Sequence, residues 1–120
     1  MVYKPANHNE LKRILLKEFT FFVDDNNIRS CFYLTCGGAD TAFINLVKDV
    51  LEGVSEKESL VETTDKVFRE VSSAFNYYGS RIERYYEEMI PTSFGTKDIR
   101  HHVQNRISGL RVHIRNRYSV

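Results

Sequence analysis

The residues with the most chemical potential lie in the last segment of the chain, where positive charge is concentrated. Residues 94–120 carry six Lys/Arg and one Asp/Glu, whereas residues 54–93 carry five and eight. On a helix placed over about 97–117, one flank beside the apolar stripe is a row of guanidinium and amide groups. The candidate binding residues are Arg100, Gln104, Arg111, Arg115 and Arg117. Because a guanidinium is planar and always charged, this flank predicts binding to nucleic acid or to an acidic partner.

The opposite flank of the same helix contains Arg106 and His113, in the pattern R-x6-H. Histidine titrates near neutral pH and can transfer protons, and arginine can stabilise negative charge on a reacting phosphate. The pattern resembles the Rx4–6H motif of HEPN-domain ribonucleases, which are small all-α proteins that pair so that two motifs meet. The resemblance implies metal-independent RNA cleavage, with His113 as the proton-transfer group and Arg106 stabilising the phosphorane charge.

A second candidate contact surface is a band of tyrosines, the pairs Tyr77-Tyr78 and Tyr85-Tyr86. Adjacent residues of a helix point about 100° apart, so one member of each pair must lie at the edge of a buried stripe or in solvent. Exposed tyrosine offers contact area at low entropic cost, which suits an aromatic interface for a partner. The alternative is a set of edge tyrosines whose hydroxyl groups simply face water.

No motif predicts a metal or a cofactor. His101 and His102 are adjacent, so they point about 100° apart on a helix, and no HExxH pattern or Cys/His cluster accompanies them. Cys31 and Cys36 lie five positions apart without further cysteines, which fits neither a zinc site nor a thioredoxin-type motif. We therefore expect no cofactor, and reduced thiols typical of a cytoplasmic protein.

These candidate sites require helices to position them, and the longest apolar pattern predicts a helix over about 56–89. Apolar residues recur there at helical spacing from Leu60 to Met89. Ser55 followed by Glu58 forms a capping box at its start, and Pro91 ends it. Because such a helix is longer than a compact domain of this size, we expect it to be the central element of a bundle.

Shorter helices are predicted before it. Helical spacing predicts one helix over about 9–22, with Asn7 or Asn9 as its cap, and another that begins at Asp40 or Thr41 and ends before Gly53. Residues 28–35 fit a short helix, whereas the β-forming runs 19–23 and 31–35 fit a β-hairpin over 19–35. We favour the helix because an isolated hairpin needs a further strand and the chain shows none.

The composition is typical of a single helical domain spanning 1–120, with 42% hydrophobic and 28% charged residues. No apolar run approaches the ~20 residues of a membrane span, and the first residues lack a signal-peptide core. We expect a cytoplasmic, all-α bundle of four or five helices around one long central helix. We also expect self-association, because the rest of the chain is too short to cover that helix.

The leading functional prediction is a small non-enzymatic regulatory protein. Its basic C-terminal helix would dock on nucleic acid, or on an acidic face of a nucleoprotein or protein partner. Small phage, viral and plasmid-borne regulators and inhibitors have this make-up, which is an argument by analogy. One alternative is the HEPN-like endoribonuclease that uses Arg106 and His113. The other is an oligomerisation or scaffold module whose arginines pair with acidic residues of the same molecule.

Overall fold

The structure is a computed structural model that describes residues 3–25, 40–89 and 96–120, with side chains described in 3–25, 41, 43–76 and 101–120. These residues form four α-helices: α1 (His8–Asp24), α2 (Asp40–Glu52), α3 (Leu60–Met89) and α4 (Thr96–Tyr118). No strand occurs within those ranges, so the all-α prediction is confirmed for them. The short helix predicted near 28–35, together with Cys31 and Cys36, lies outside the described residues.

Helix α1 begins where the sequence predicts and ends later. The side chain of Asn7 accepts a hydrogen bond from the backbone amide of Glu10 at 2.9 Å, so Asn7 is the N-cap. The helix then continues to Asp24, through the segment 19–23 that the hairpin alternative assigned to a strand. That alternative is wrong for this segment, because the apolar stripe keeps its helical spacing. The buried residues of the stripe are Leu11, Leu15, Phe19, Phe22 and Val23.

Helix α2 follows the predicted pattern. Phe43, Val47 and Leu51 are buried and face the core, at spacings of four residues. The helix ends at Glu52, and the amide of Gly53 donates to the carbonyl of Asp49 at 3.3 Å and closes the last turn. The prediction that Gly53 follows the end of this helix is therefore confirmed.

Helix α3 begins at Leu60, four residues later than predicted. The capping box is formed by Ser59 and Glu62: the amide of Glu62 donates to the Ser59 hydroxyl at 3.1 Å, and the amide of Ser59 donates to the Glu62 carboxylate at 3.4 Å. The sequence contains this S-x-x-E pattern twice, and the earlier copy at Ser55 is not used. A reason is that Nε2 of His8 donates to the carbonyl of Glu58 at 2.9 Å, which holds that backbone in the connection before the helix.

A cluster of phenylalanines joins the first three helices. The ring of Phe19 lies 4.9 Å from that of Phe68 and 6.1 Å from that of Phe43, and Phe43 lies 6.3 Å from Phe75. Helix α4 contributes Val103, Ile107 and Ile114, which are fully or almost fully buried. Close packing follows the chain order, α1 on α2, α2 on α3 and α3 on α4. The central position of α3 and the single-domain organisation stay predictions.

None of the helices in the described residues is long and apolar enough to cross a membrane. Within α4, the apolar stripe is buried at Val103, Ile107 and Ile114, while Leu110 is partly buried against the core. This leaves both flanks of α4 available for polar contacts.

We expect the Phe75→Ala variant to lose about 3–5 kcal/mol of unfolding free energy, because it leaves a cavity in the phenylalanine cluster. Urea denaturation measures this loss. Val61→Ala on the same helix is the control, since Val61 is 46% exposed and its loss should stay within about 0.5 kcal/mol. Equal losses in the two variants would contradict the burial described for Phe75.

Candidate nucleic-acid interface

One side of α4 is fixed to α3 by polar side chains. The amide nitrogen of Gln104 donates to the carbonyl of Ser72 at 3.0 Å and to the side-chain oxygen of Asn76 at 2.9 Å. Gln104 is one of the predicted binding residues, and its donors are thus engaged within the molecule. Its position sets the register of α4 on α3.

Arg111, another predicted binding residue, is the strongest link between these two helices. Its guanidinium pairs with the carboxylate of Asp65 at 2.7 Å and donates to the backbone oxygen of Val120 at 2.7 Å. It also lies 5.8 Å from the ring centroid of Phe68, a cation–π contact. Only 11% of its side chain is exposed. Arg111 is therefore part of the contact between α3 and α4.

Arg115 and Arg117 differ from Arg111, because both are exposed. They lie in the last turn of α4, and neither forms an ion pair within the described residues. Arg117 lies over the ring of Tyr118, 5.7 Å from its centroid. The backbone of Arg100 belongs to α4, but its side chain lies outside the described part of the structure, as do the side chains of Tyr77, Tyr78, Tyr85 and Tyr86. Arg115 and Arg117 are thus the predicted binding residues that the structure leaves exposed for a partner.

A tether connects the segment before α1 to the last turn of α4. The amide of Tyr3 donates to the carbonyl of Arg117 at 3.1 Å, and the Tyr3 hydroxyl donates to the carboxylate of Glu10. Beside this tether is an open groove of about 590 Å³, whose lining includes the cations Arg13 and Lys17 of α1. Arg13 and Lys17 of α1 therefore line one groove with the exposed Tyr3 and the carboxylate of Glu10.

A second groove, of about 490 Å³, separates α1 from α4. Its lining includes both residues of the predicted ribonuclease motif, so the structure brings Arg106 and His113 to one concavity. Arg106 pairs with Asp25 at 3.2 Å, and Nε2 of His113 lies 3.8 Å from the carboxylate of Glu18. Two carboxylates beside these groups make the groove less favourable for a phosphate than a purely basic site.

Glu18 is the buried anchor between α1 and α4. The Tyr118 hydroxyl donates to its carboxylate at 2.6 Å, although the two residues are 100 positions apart in the chain. Burial raises the pKa of the Tyr118 phenol, and the hydrogen bond to Glu18 raises it further. The bond joins the last turn of α4 to the middle of α1.

Charge is separated between the two halves of the described structure. Residues 3–25 and 101–120 together carry eight Lys/Arg and four Asp/Glu, whereas residues 40–76 carry four and eight. Together α1 and α4 are therefore net positive, with the excess coming from residues 101–120 because 3–25 carry four of each sign, and residues 40–76 of α2 and α3 are net negative. Such an arrangement favours a polyanion on the α1–α4 side.

The described residues contain no group of three or more His, Cys, Asp and Glu side chains that could hold a metal ion. His101 and His102 are both exposed on α4. The sequence interpretation missed Tyr3, Arg13, Lys17 and Phe21. The last three are spaced four residues apart, which puts them on one face of α1 and would have revealed a mixed basic and aromatic row. Nothing in the sequence pattern indicates the tether of Tyr3.

In comparisons with known proteins, no family model, no curated protein and no solved structure matches this chain. The functional argument therefore depends on the contacts, exposure and charge described above.

The Tyr118→Phe variant should lose about 1.5–3 kcal/mol of unfolding free energy at neutral pH, because the buried Glu18 carboxylate loses its donor. The raised pKa adds a pH dependence. The folded state keeps the phenolic proton of Tyr118 more tightly than the unfolded chain does. The stability that this proton adds is therefore complete below the ordinary pKa of 10.0, and it is lost as the pH rises through the higher pKa of the folded state. Urea denaturation at neutral and alkaline pH measures both effects.

Between neutral and alkaline pH, the wild type should lose more unfolding free energy than Tyr118→Phe does. Tyr3→Phe is the control, because it removes an exposed phenol. If Tyr118→Phe were as stable as the wild type at neutral pH, the bond to Glu18 would not link the two helices.

Proposed function

We propose that this protein is a non-enzymatic nucleic-acid-binding protein that uses the basic end of its last helix. The observation that carries the proposal is the exposure of Arg115 and Arg117, two guanidinium groups of the last turn without an ion-pair partner in the described residues. An unpaired guanidinium is well suited to phosphate because it donates two parallel hydrogen bonds and holds its charge.

Cations other than Arg115 and Arg117 also favour binding of a polyanion on this side of the molecule. Arg13 and Lys17 are exposed on α1, and the tether of Tyr3 brings that helix next to Arg117. Several cations on one side bind a polyanion more strongly than isolated ones, since each neutralised phosphate releases counterions. An acidic face of a nucleoprotein or protein partner is the competing ligand, and the experiment below distinguishes it.

Self-association in the cytoplasm is part of the proposal. A positive α1–α4 side and a negative α2–α3 side are complementary, so a second copy could pair through them. If so, salt would weaken both self-association and nucleic-acid binding, and light scattering at several salt concentrations would separate the two equilibria. An oligomerisation module without a polyanion ligand is the outcome if only self-association is detected.

RNA cleavage is the second candidate function, because Arg106 and His113 line the same groove. In this alternative, His113 transfers a proton and Arg106 stabilises the phosphorane. Incubation of the protein with RNA in EDTA tests it, with His113→Ala as the comparison. Cleavage that the variant retains would have to come from another source.

The double variant Arg115→Ala/Arg117→Ala should bind nucleic acid more weakly, whatever the sequence. The slope of log Kd against the logarithm of the salt concentration should decrease by about one for each phosphate contact that is lost. Fluorescence anisotropy across a salt series measures both quantities. The matched control is Lys48→Ala/Arg69→Ala, which removes two exposed cations from α2 and α3.

Equal weakening in both double variants would contradict the proposal, because it would show a response to net charge alone. Competition by an acidic polypeptide but not by RNA or DNA would assign the arginines to a protein partner. Unchanged binding in the arginine variant would exclude the last turn of α4 as the contact.

A further inference from the structure

Two aromatic rings are exposed on the positive side of the molecule. Tyr3 is 56% exposed and Phe21 is 61% exposed, more than the other large apolar side chains that the described residues leave in solvent. Both accompany cations of α1: Tyr3 lines the groove with Arg13 and Lys17, and Phe21 lies one turn beyond Lys17. Exposed rings next to cations are a combination that core packing does not explain.

The Tyr3 ring is exposed and also held in place. Its backbone is bonded to the end of α4 and its hydroxyl to Glu10. The carboxylate of Glu10 is itself oriented, because it accepts a second hydrogen bond from the amide of Ala6 at 3.1 Å. A ring fixed at two points loses little conformational freedom when a ligand packs on it.

The Phe21 ring connects the two grooves along α1. The ammonium group of Lys17, which lines the first groove, lies 5.9 Å from the centroid of Phe21, which lines the second. At one end of this row is the tether beside Arg117, and at the other is Arg106. The surface is thus an elongated track of two rings flanking two cations, beside the carboxylate of Glu10.

We propose that this track, defined by Tyr3, Arg13, Lys17 and Phe21, binds single-stranded nucleic acid. Tyr3 and Phe21 stack on unpaired bases, while Arg13 and Lys17 contact the phosphates between them. Stacking on aromatic side chains combined with a basic track is how proteins bind single strands without reading sequence. In a duplex the base faces are already stacked on each other, so the rings have no surface to bind.

This inference rests on the proposed function, since it names the form of nucleic acid that the basic side would take. It adds residues of α1 and a preference that the arginines of α4 alone do not give. An acidic peptide would pair with the cations but would offer the two rings no planar base to stack on. Charge and aromatic content together therefore favour the single strand.

The test compares a single-stranded oligonucleotide with the duplex of the same sequence by fluorescence anisotropy. Phe21→Ala and Tyr3→Ala should each weaken single-strand binding by about five- to 150-fold, the range found for loss of one stacked base. Duplex binding should change by less than about twofold, because it depends on phosphate contacts. Phe21→Tyr keeps the ring and should retain most of the single-strand affinity.

Val61→Ala is the matched control, because it truncates an exposed apolar side chain on α3. Circular dichroism and urea denaturation check that each variant is folded. Wild-type affinity for the single strand equal to that for the duplex would overturn the proposal, and so would unchanged single-strand binding in both alanine variants. Displacement of the oligonucleotide by polyglutamate as readily as by an unlabelled oligonucleotide of equal charge would show that the rings contribute nothing, and it would also overturn the proposal.

The two proposals can fail separately. If the arginine variant of α4 loses binding while Phe21→Ala and Tyr3→Ala do not, nucleic-acid binding stands and single-strand stacking fails. If no nucleic acid binds at all, the proposed function fails, and the stacking proposal fails with it.

Discussion

The hydrogen bond between Tyr118 and Glu18 is the constraint on which the positive side of this molecule depends. A carboxylate buried in a helix interface must have a donor, and its donor here comes from the last turn of α4. The bond fixes that turn against α1 and so determines where the neighbouring Arg115 and Arg117 lie. The hydrogen bond from Tyr3 to Arg117 then holds the segment before α1 against the same turn. One buried polar contact thus assembles residues from three parts of the chain.

The other flank of α4 shows why charged residues can have opposite roles within one helix. Arg111 and Arg115 are one turn apart and of the same type, yet Arg111 is buried against Asp65 and Phe68 while Arg115 is exposed. The helical wheel places both beside the apolar stripe. It does not show how closely α3 approaches that flank, which decides whether a guanidinium becomes part of the packing or stays in solvent.

Local patterns predicted much of the fold. The stripes of α1, α2 and α4 were evident from spacing, and the cap of α1 was narrowed to Asn7 or Asn9, of which the structure shows Asn7. The start of α3 was wrong because Ser55 and Ser59 both begin an S-x-x-E pattern, and the contact from His8 to Glu58, which lies between them, leaves no periodic signal. The hairpin alternative was wrong over 19–23 because β-forming residues there also satisfy a helical stripe.

The candidate site was less predictable, because it depends on distant contacts. The sequence indicated the basic last helix and placed Arg106 and His113 on one face of it. It could not indicate that Asp25 would lie opposite Arg106, 81 positions away, or that Glu18 would lie opposite His113. Nor could it indicate that Tyr3 would be fixed beside Arg117. Residues brought together by tertiary packing leave no periodic signal.

The separation of charge between α1–α4 and α2–α3 has a consequence at distances beyond contact. It gives the molecule an electric dipole, and the field of a polyanion exerts a torque on a dipole before the surfaces meet. Rotation would bring the positive side forward during approach, so a larger share of collisions would be productive. If a polyanion binds as proposed, the bound molecule would present its acidic side outwards and give the complex a negative outer layer. That layer would repel a second polyanion, which would keep neighbouring strands from being crosslinked.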